Sequence, residues 1–186
     1  MKLHFGFKFR HYIHTKEDTS KMNLKCTKKL LDMLEIKNPN NFKIPNTNED
    51  IENWHCNILD YNKIYAVLIT NDKTLFSFYL FGFEKDDFKD FSEIIKQNIF
   101  KTMLNMGFEQ KQFEVILESM ENIKFSKTNN RGTLASMNQM LPYIHHNMNE
   151  EKDLLDIMIG LNNMPIKKLG FKTPREEFKL LLNKCI

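Results

Sequence analysis

The sequence predicts an α+β domain: an antiparallel sheet of about four strands with helices packed against it, closed by a C-terminal helical segment. Three observations lead there. Trp54 to Phe83 is rich in aromatic and β-branched residues and is cut by Asn/Asp turns. Apolar stripes at helical spacing follow it in the chain. Thr173-Pro-Arg-Glu176 is a capping box with proline at the first helical position, which starts a last helix carrying Phe178, Leu181 and Leu182.

The elements are expected in the following order. Residues 1–21 alternate Phe5, Phe7 and Phe9 with basic residues and then turn polar, as a short strand or docking arm would. Met22 reads as a second beginning, so the expected organisation is an N-terminal extension over 1–21 and a single domain over 22–186. Thr27 is placed as the N-cap of a short helix at about 27–36, striped by Leu30, Leu31 and Leu34. Pro39, Pro45 and six asparagines between Lys37 and Asn53 favour a loop.

Strands are expected at Trp54–Leu59, Lys63–Thr70 and Thr74–Phe81, with turns at Asp60-Tyr-Asn62 and Asn71-Asp-Lys73. The nearly continuous apolar runs within the last two require cover on both faces. Asp86 and Asp87 open a helix striped by Phe88, Phe91, Ile94, Ile95, Ile99, Met103 and Leu104, and Gly107 supplies a left-handed cap. A helix at about 109–121 turns Phe113, Ile116, Leu117 and Met120 inward. Ile123 and Phe125 alternate with Lys124 and Ser126 in a short strand expected to extend the meander. The next helix carries Leu134, Met137, Leu141 and Ile144, with Pro142 expected to bend or end it.

Composition narrows the chemistry. At 186 residues, with 41% hydrophobic and 27% charged residues, the chain fits one domain with its own core. Cys26, Cys56 and Cys185 form no Cys-x-x-Cys pair and read as reduced structural thiols, and no apolar run is long enough to span a bilayer. A cytoplasmic location is the expectation. The net charge of +3 permits a nucleic-acid partner without arguing for it.

The six glycines are isolated, so no phosphate-cradling loop or dinucleotide fingerprint is present, and no cofactor is expected. No His-Glu-x-x-His motif occurs, and no metal site is expected. His55 and Cys56 are adjacent on a strand and point to opposite faces. His145 and His146 lie about 100° apart on a helix and read as a solvated or partly buried pair. Neither Ser77 nor Ser136 sits in a nucleophile elbow, and Cys56 reads as a small core residue.

Two segments carry candidate binding residues. The junction Lys127-Thr-Asn-Asn-Arg-Gly-Thr-Leu-Ala-Ser-Met-Asn138 places Lys127, Thr128, Asn130 and Arg131 at the start of a helix, where free N–H groups and the helix dipole favour anions. Arg131, Ala135 and Asn138 share one helix face, while Gly132 and Ser136, four apart, allow a close approach. This segment either contacts a phosphate, nucleic acid or acidic peptide, or is structural. In the structural case Asn130 or Thr128 caps the helix while Arg131 and Asn138 satisfy buried carbonyls of the sheet. In the second segment, Trp54-His-Cys-Asn57, Trp54 and Cys56 share one strand face and His55 and Asn57 the other. The latter pair either orients a ligand or bonds neighbouring loops.

Four motifs, Cys26-Thr-Lys-Lys-Leu-Leu31, Trp54-His-Cys-Asn57, Thr70-Asn-Asp72 and Asn130-Arg-Gly-Thr-Leu-Ala-Ser-Met-Asn138, resemble a family of small bacterial proteins of unknown function, from Met22 to about Leu182. That family usually reads Asn-Arg-Ser where this chain has Gly132. The stretch Leu161 to Phe178 is also similar to the tail of integrase-type transposases, with Met164 where those tails usually have arginine. The resemblance brings no catalytic assignment.

The expected function is therefore a non-catalytic intracellular binding or regulatory protein. It would act on nucleic acid or a nucleic-acid-handling protein, in a phage-defence or mobile-element setting, without a membrane partner. The alternative is a nuclease-like phosphate-ester hydrolase or transferase with Arg131 as anion clamp and His55 as general base.

Overall fold

The structure, a computed structural model, describes residues 22–39 and 49–186. The expected extension over 1–21, with its strand or arm, and much of the loop between Lys37 and Asn53 lie outside the described residues. Five strands form one sheet: β1 (Met22–Cys26), β2 (Asn53–Tyr61), β3 (Ile64–Asn71), β4 (Ser77–Phe83) and β5 (Ile123–Lys127), in the order β4-β3-β2-β1-β5. The helices are α1 (Lys28–Met33), α2 (Glu49–Glu52), α3 (Phe91–Asn105), α4 (Gln110–Ser119), α5 (Arg131–Asn149), α6 (Leu154–Asn162) and α7 (Pro174–Asn183).

The class is α+β, but the sheet is mixed. Strands β2, β3 and β4 make the expected antiparallel meander. Strand β1 runs parallel to both β2 and β5. Thus β5 does not extend the meander beyond β4; it closes the opposite edge. The reason is connectivity: α3 and α4 separate β4 from β5, and α1 and α2 lie between β1 and β2 in the chain. Parallel neighbours require such long crossovers, whereas hairpins give antiparallel ones.

Local chemistry sets the boundaries. Strand β2 continues through Tyr61, and the two-residue turn falls on Asn62 and Lys63, both at positive φ (54° and 77°), as a type I′ hairpin requires. Helix α1 stops at Met33, short of the expected 36, because Glu35 is left-handed. Thr27 stands at its N-cap position without a capping bond. Gly107 adopts φ 66° after α3 as expected, and α7 adds cations there: Arg175 donates to the Met106 carbonyl at 2.5 Å and Lys179 to that of Gly107 at 2.7 Å. Leu104, expected inside, is exposed on α3. Pro142 is exposed and does not end α5, which runs on to Asn149.

Alternation along the strands gives the sheet two unlike faces. On one, Leu24, Cys26, Trp54, Cys56, Ile69 and Phe78 are buried. Trp54 meets Phe78 and Phe178 of α7 edge-on, with ring centroids 5.8 and 5.6 Å away. Phe91 of α3 touches rings from both edge strands, Phe83 and Phe125. The other face carries a polar row fixed by register, Ser77, Thr70, His55, Lys25 and Ser126. Helices α5 and α6 cover that row. Asn162 of α6 accepts from the Ser77 N–H at 2.8 Å and donates to its carbonyl at 2.6 Å, and the Ser77 hydroxyl lies 3.4 Å from the Met140 sulfur of α5.

Candidate functional site

The polar row holds the first constellation. Lys25 and His55 are register partners on β1 and β2. After β3 the side-chain carbonyl of Asn71 accepts from the Lys73 N–H (3.2 Å), the Thr74 N–H (3.0 Å) and the Thr74 hydroxyl (2.9 Å), which closes the turn. Asp72 is thereby turned back over the row. Its Oδ2 accepts from Lys25 Nζ at 2.8 Å and its Oδ1 from His55 Nδ1. Burial alone would push the Asp72 carboxyl up. The hydrogen bonds and charges of His55 and then Lys25 outweigh it and hold the group below its ordinary value.

Two of the four motifs noted in the sequence thus meet at one carboxylate, joined by Lys25, the residue just before a third. His55 has no solvent-exposed surface, and its Nε2, like the Thr133 hydroxyl on the buried stripe of α5, is buried without a hydrogen-bond partner. Through its bond to Asp72, His55 ties the turn after β3 to strand β2. Asn57 lies half-buried on the same face. Trp54 is buried on the opposite face and donates from its indole N–H to the Ile51 carbonyl at 2.8 Å. Burial pushes the Cys56 thiol well up, and the hydrogen bond and charge of Cys26 and the charge of Asp72 add to it, so the thiol stays protonated in the core.

The second constellation is the junction before α5, which the structure divides in two. Asn130 is the cap: its side-chain oxygen accepts from the Gly132 N–H at 2.9 Å and the Thr133 N–H at 3.2 Å. Thr128 donates its backbone N–H to the Cys26 carbonyl at 3.3 Å, and the Ser136 hydroxyl donates to the Gly132 carbonyl at 3.0 Å. Arg131 and Asn138 do not satisfy sheet carbonyls. Both are exposed, as is Ala135 on the same helix face, and neither side chain bonds any described residue. Pro142 lies inside α5 and has no N–H to offer the Asn138 carbonyl.

Lys168 joins this surface from the 3-10 turn Lys167–Leu169. Its Nζ lies 3.8 Å from where a Cβ on Gly132 would stand, so the close approach expected at Gly132 is made by a cation from the chain's own tail. Lys127, Arg131, Lys167 and Lys168 are all exposed. Residues 122–149 and 157–175 contain no Asp or Glu, so no acid from either stretch offsets them. Sequence reasoning missed Lys168, although the absence of acids from both stretches was readable.

The structure does not bring Arg131 and His55 into one cleft: Arg131 stands on the exposed side of α5, and His55 is sealed beneath the helical layer. His145 Nε2 meets the Tyr61 hydroxyl at 2.5 Å while His146 is exposed, so the two do not converge. Among the described residues no group of three or more His, Cys, Asp or Glu side chains could hold a metal ion. Among the same residues, no helix is long and apolar enough to cross a membrane.

A family model described as a domain of unknown function, DUF6933, matches residues 23–177. No curated protein and no solved structure matches the chain. The matched span contains Lys25, His55, Asp72 and the whole Asn130–Asn138 segment, and the chain belongs to the DUF6933 family.

Proposed function

We propose that this is a non-catalytic binding protein whose contact surface for nucleic acid is the start of α5 together with the Lys168 turn. One observation carries the reading: Arg131 and Asn138 are exposed and unpartnered on one helix face, among lysines with no acidic residue in either contributing stretch. Cations near a helix N-terminus oppose the dipole. The Arg131 and Lys168 charges therefore gain nothing there in the free protein, and a phosphate would satisfy both. A guanidinium fork also suits bidentate phosphate contact. The buried Lys25–Asp72–His55 cluster supports this as scaffold, fixing β1, from whose edge neighbour β5 the junction departs.

Fluorescence anisotropy with a labelled oligonucleotide, from 50 to 200 mM salt, tests the reading. Arg131→Ala is expected to weaken binding about tenfold and to reduce the magnitude of the salt slope by roughly one. Equal affinity of wild type and variant, or turnover of a phosphodiester, would contradict it. A place among phage-defence or mobile-element genes is part of the proposal, and gene neighbourhood checks it.

A further inference from the structure

We infer that the turn between α6 and α7 is a stacking platform for unpaired bases, with Phe171 as the platform, so that the nucleic acid is single-stranded. The inference rests on the reading above and specifies its partner. The turn is closed by an antiparallel bridge between Ile166 and Lys172, in which the Ile166 N–H donates to the Lys172 carbonyl at 3.0 Å. Within it Gly170 and Phe171 are both left-handed, at φ 66° and 65°. Glycine adopts that conformation freely, whereas a bulky aromatic residue there is a costly rarity.

The strain is not offset by packing. Phe171 is 71% exposed, the largest value among the exposed large apolar side chains of the described residues. What the left-handed backbone achieves is to hold the ring out in solvent. Local strain of this kind, kept by a turn that is otherwise well bonded, is a feature of ligand-contact segments.

The ring's neighbours select the occupant. Lys167 and Lys168 are exposed in the same turn, and Lys172 pairs with Glu177 at 2.8 Å. Lys168, three residues before the ring, brings its Nζ to Gly132, the neighbour of Arg131 at the start of α5. A flat apolar ring beside Lys167 and Lys168, which have no acidic partner among the described residues, complements a base joined to a phosphate backbone. An acidic peptide would use the lysines and leave the ring idle. In a duplex the base faces are already stacked on one another, so only an unpaired base can cover the ring.

The test is anisotropy with a fluorescein-labelled thymidine oligonucleotide and with a mixed-sequence duplex of the same length. Phe171→Ala is expected to weaken single-strand binding about tenfold and to leave duplex binding unchanged, while Phe171→Trp retains both. Thermal unfolding of Phe171→Ala should match wild type, since the ring is not packed. Wild-type single-strand affinity in Phe171→Ala, or an equal loss on duplex, overturns the platform. If Arg131→Ala weakens binding and Phe171→Ala does not, the basic surface stands and the platform falls. If neither nucleic acid binds, both fall. Competition by polyglutamate as effective as by unlabelled oligonucleotide overturns the platform in favour of an acidic peptide.

Discussion

The ammonium of Lys168 lies 3.8 Å from the point where Gly132 would carry its Cβ, so the tail of the domain and the first turn of α5 present one surface. Residues 36 positions apart in the chain meet there, and the Lys168 charge is brought to the first turn of α5. Beneath them, the Asp72 carboxylate ties Lys25 and His55 together on the buried face of the sheet. The two constellations have different work: the buried one holds strands and turn in register, and the exposed one is left with free donors.

The first prediction concerns acid stability. A carboxyl held below its ordinary value adds stability that is complete above about pH 4 and lost as the pH falls through the folded-state value. Asp72→Asn is expected to cost about 3 kcal/mol at pH 7, because it leaves Lys25 facing a neutral amide in a largely buried site. Urea unfolding at pH 7 and pH 3 checks this. The gap between wild type and variant should shrink at pH 3; a gap of equal size at both would show that the charge of Asp72 is not what matters.

A second prediction separates cap from contact. Asn130→Ala removes the acceptor for two helix N–H groups and should cost about 1 kcal/mol, a fall of roughly 3 °C in Tm. Arg131→Ala and Asn138→Ala should each change stability by less than about 0.5 kcal/mol. Melting followed by circular dichroism decides it: a loss in Arg131→Ala as large as that in Asn130→Ala would make Arg131 a structural residue.

Trp54 is the chain's single tryptophan and reports on the apolar face. Phe178→Ala is expected to destabilise by about 3–5 kcal/mol and to shift the native emission maximum to the red as solvent reaches the indole. An unchanged maximum with full stability would mean that α7 does not cover Trp54.

Thiol titration gives a fourth check. Cys26 and Cys56 are buried register partners, and the Cys56 thiol is pushed well up by burial and its neighbours. Native protein should react at Cys185 alone, and slowly, because partial burial and the Glu52 charge push that thiol up as well, while all three thiols should react in denaturant. Rapid native reaction at Cys56 would contradict the buried assignment.

How much of this was legible in the sequence follows from which signals are local. The meander announced itself through aromatic runs and Asn/Asp turns, and the Thr173–Glu176 capping box and Gly107 cap are read from a few neighbouring residues. Strand β1 was not legible: five residues run directly into α1, and their partners lie about 30 and 100 positions away. The same distance hid the place of β5. Of the exposed surface, Arg131 and Asn138 were visible as a helix face. Lys168 was not, because nothing local brings it to Gly132. His55 and Asp72 stood in separate motifs that only the β2–β3 register and the Asn71 turn bring together.

The most direct test of the central claim is the salt dependence of single-strand affinity for wild type and the double variant Arg131→Ala, Lys168→Ala. The slope of log K against log salt is expected to become shallower by about 1 to 1.5, and affinity at 50 mM salt to fall by more than tenfold. An unchanged slope and affinity, or no measurable binding of wild type at 50 mM salt, would contradict it.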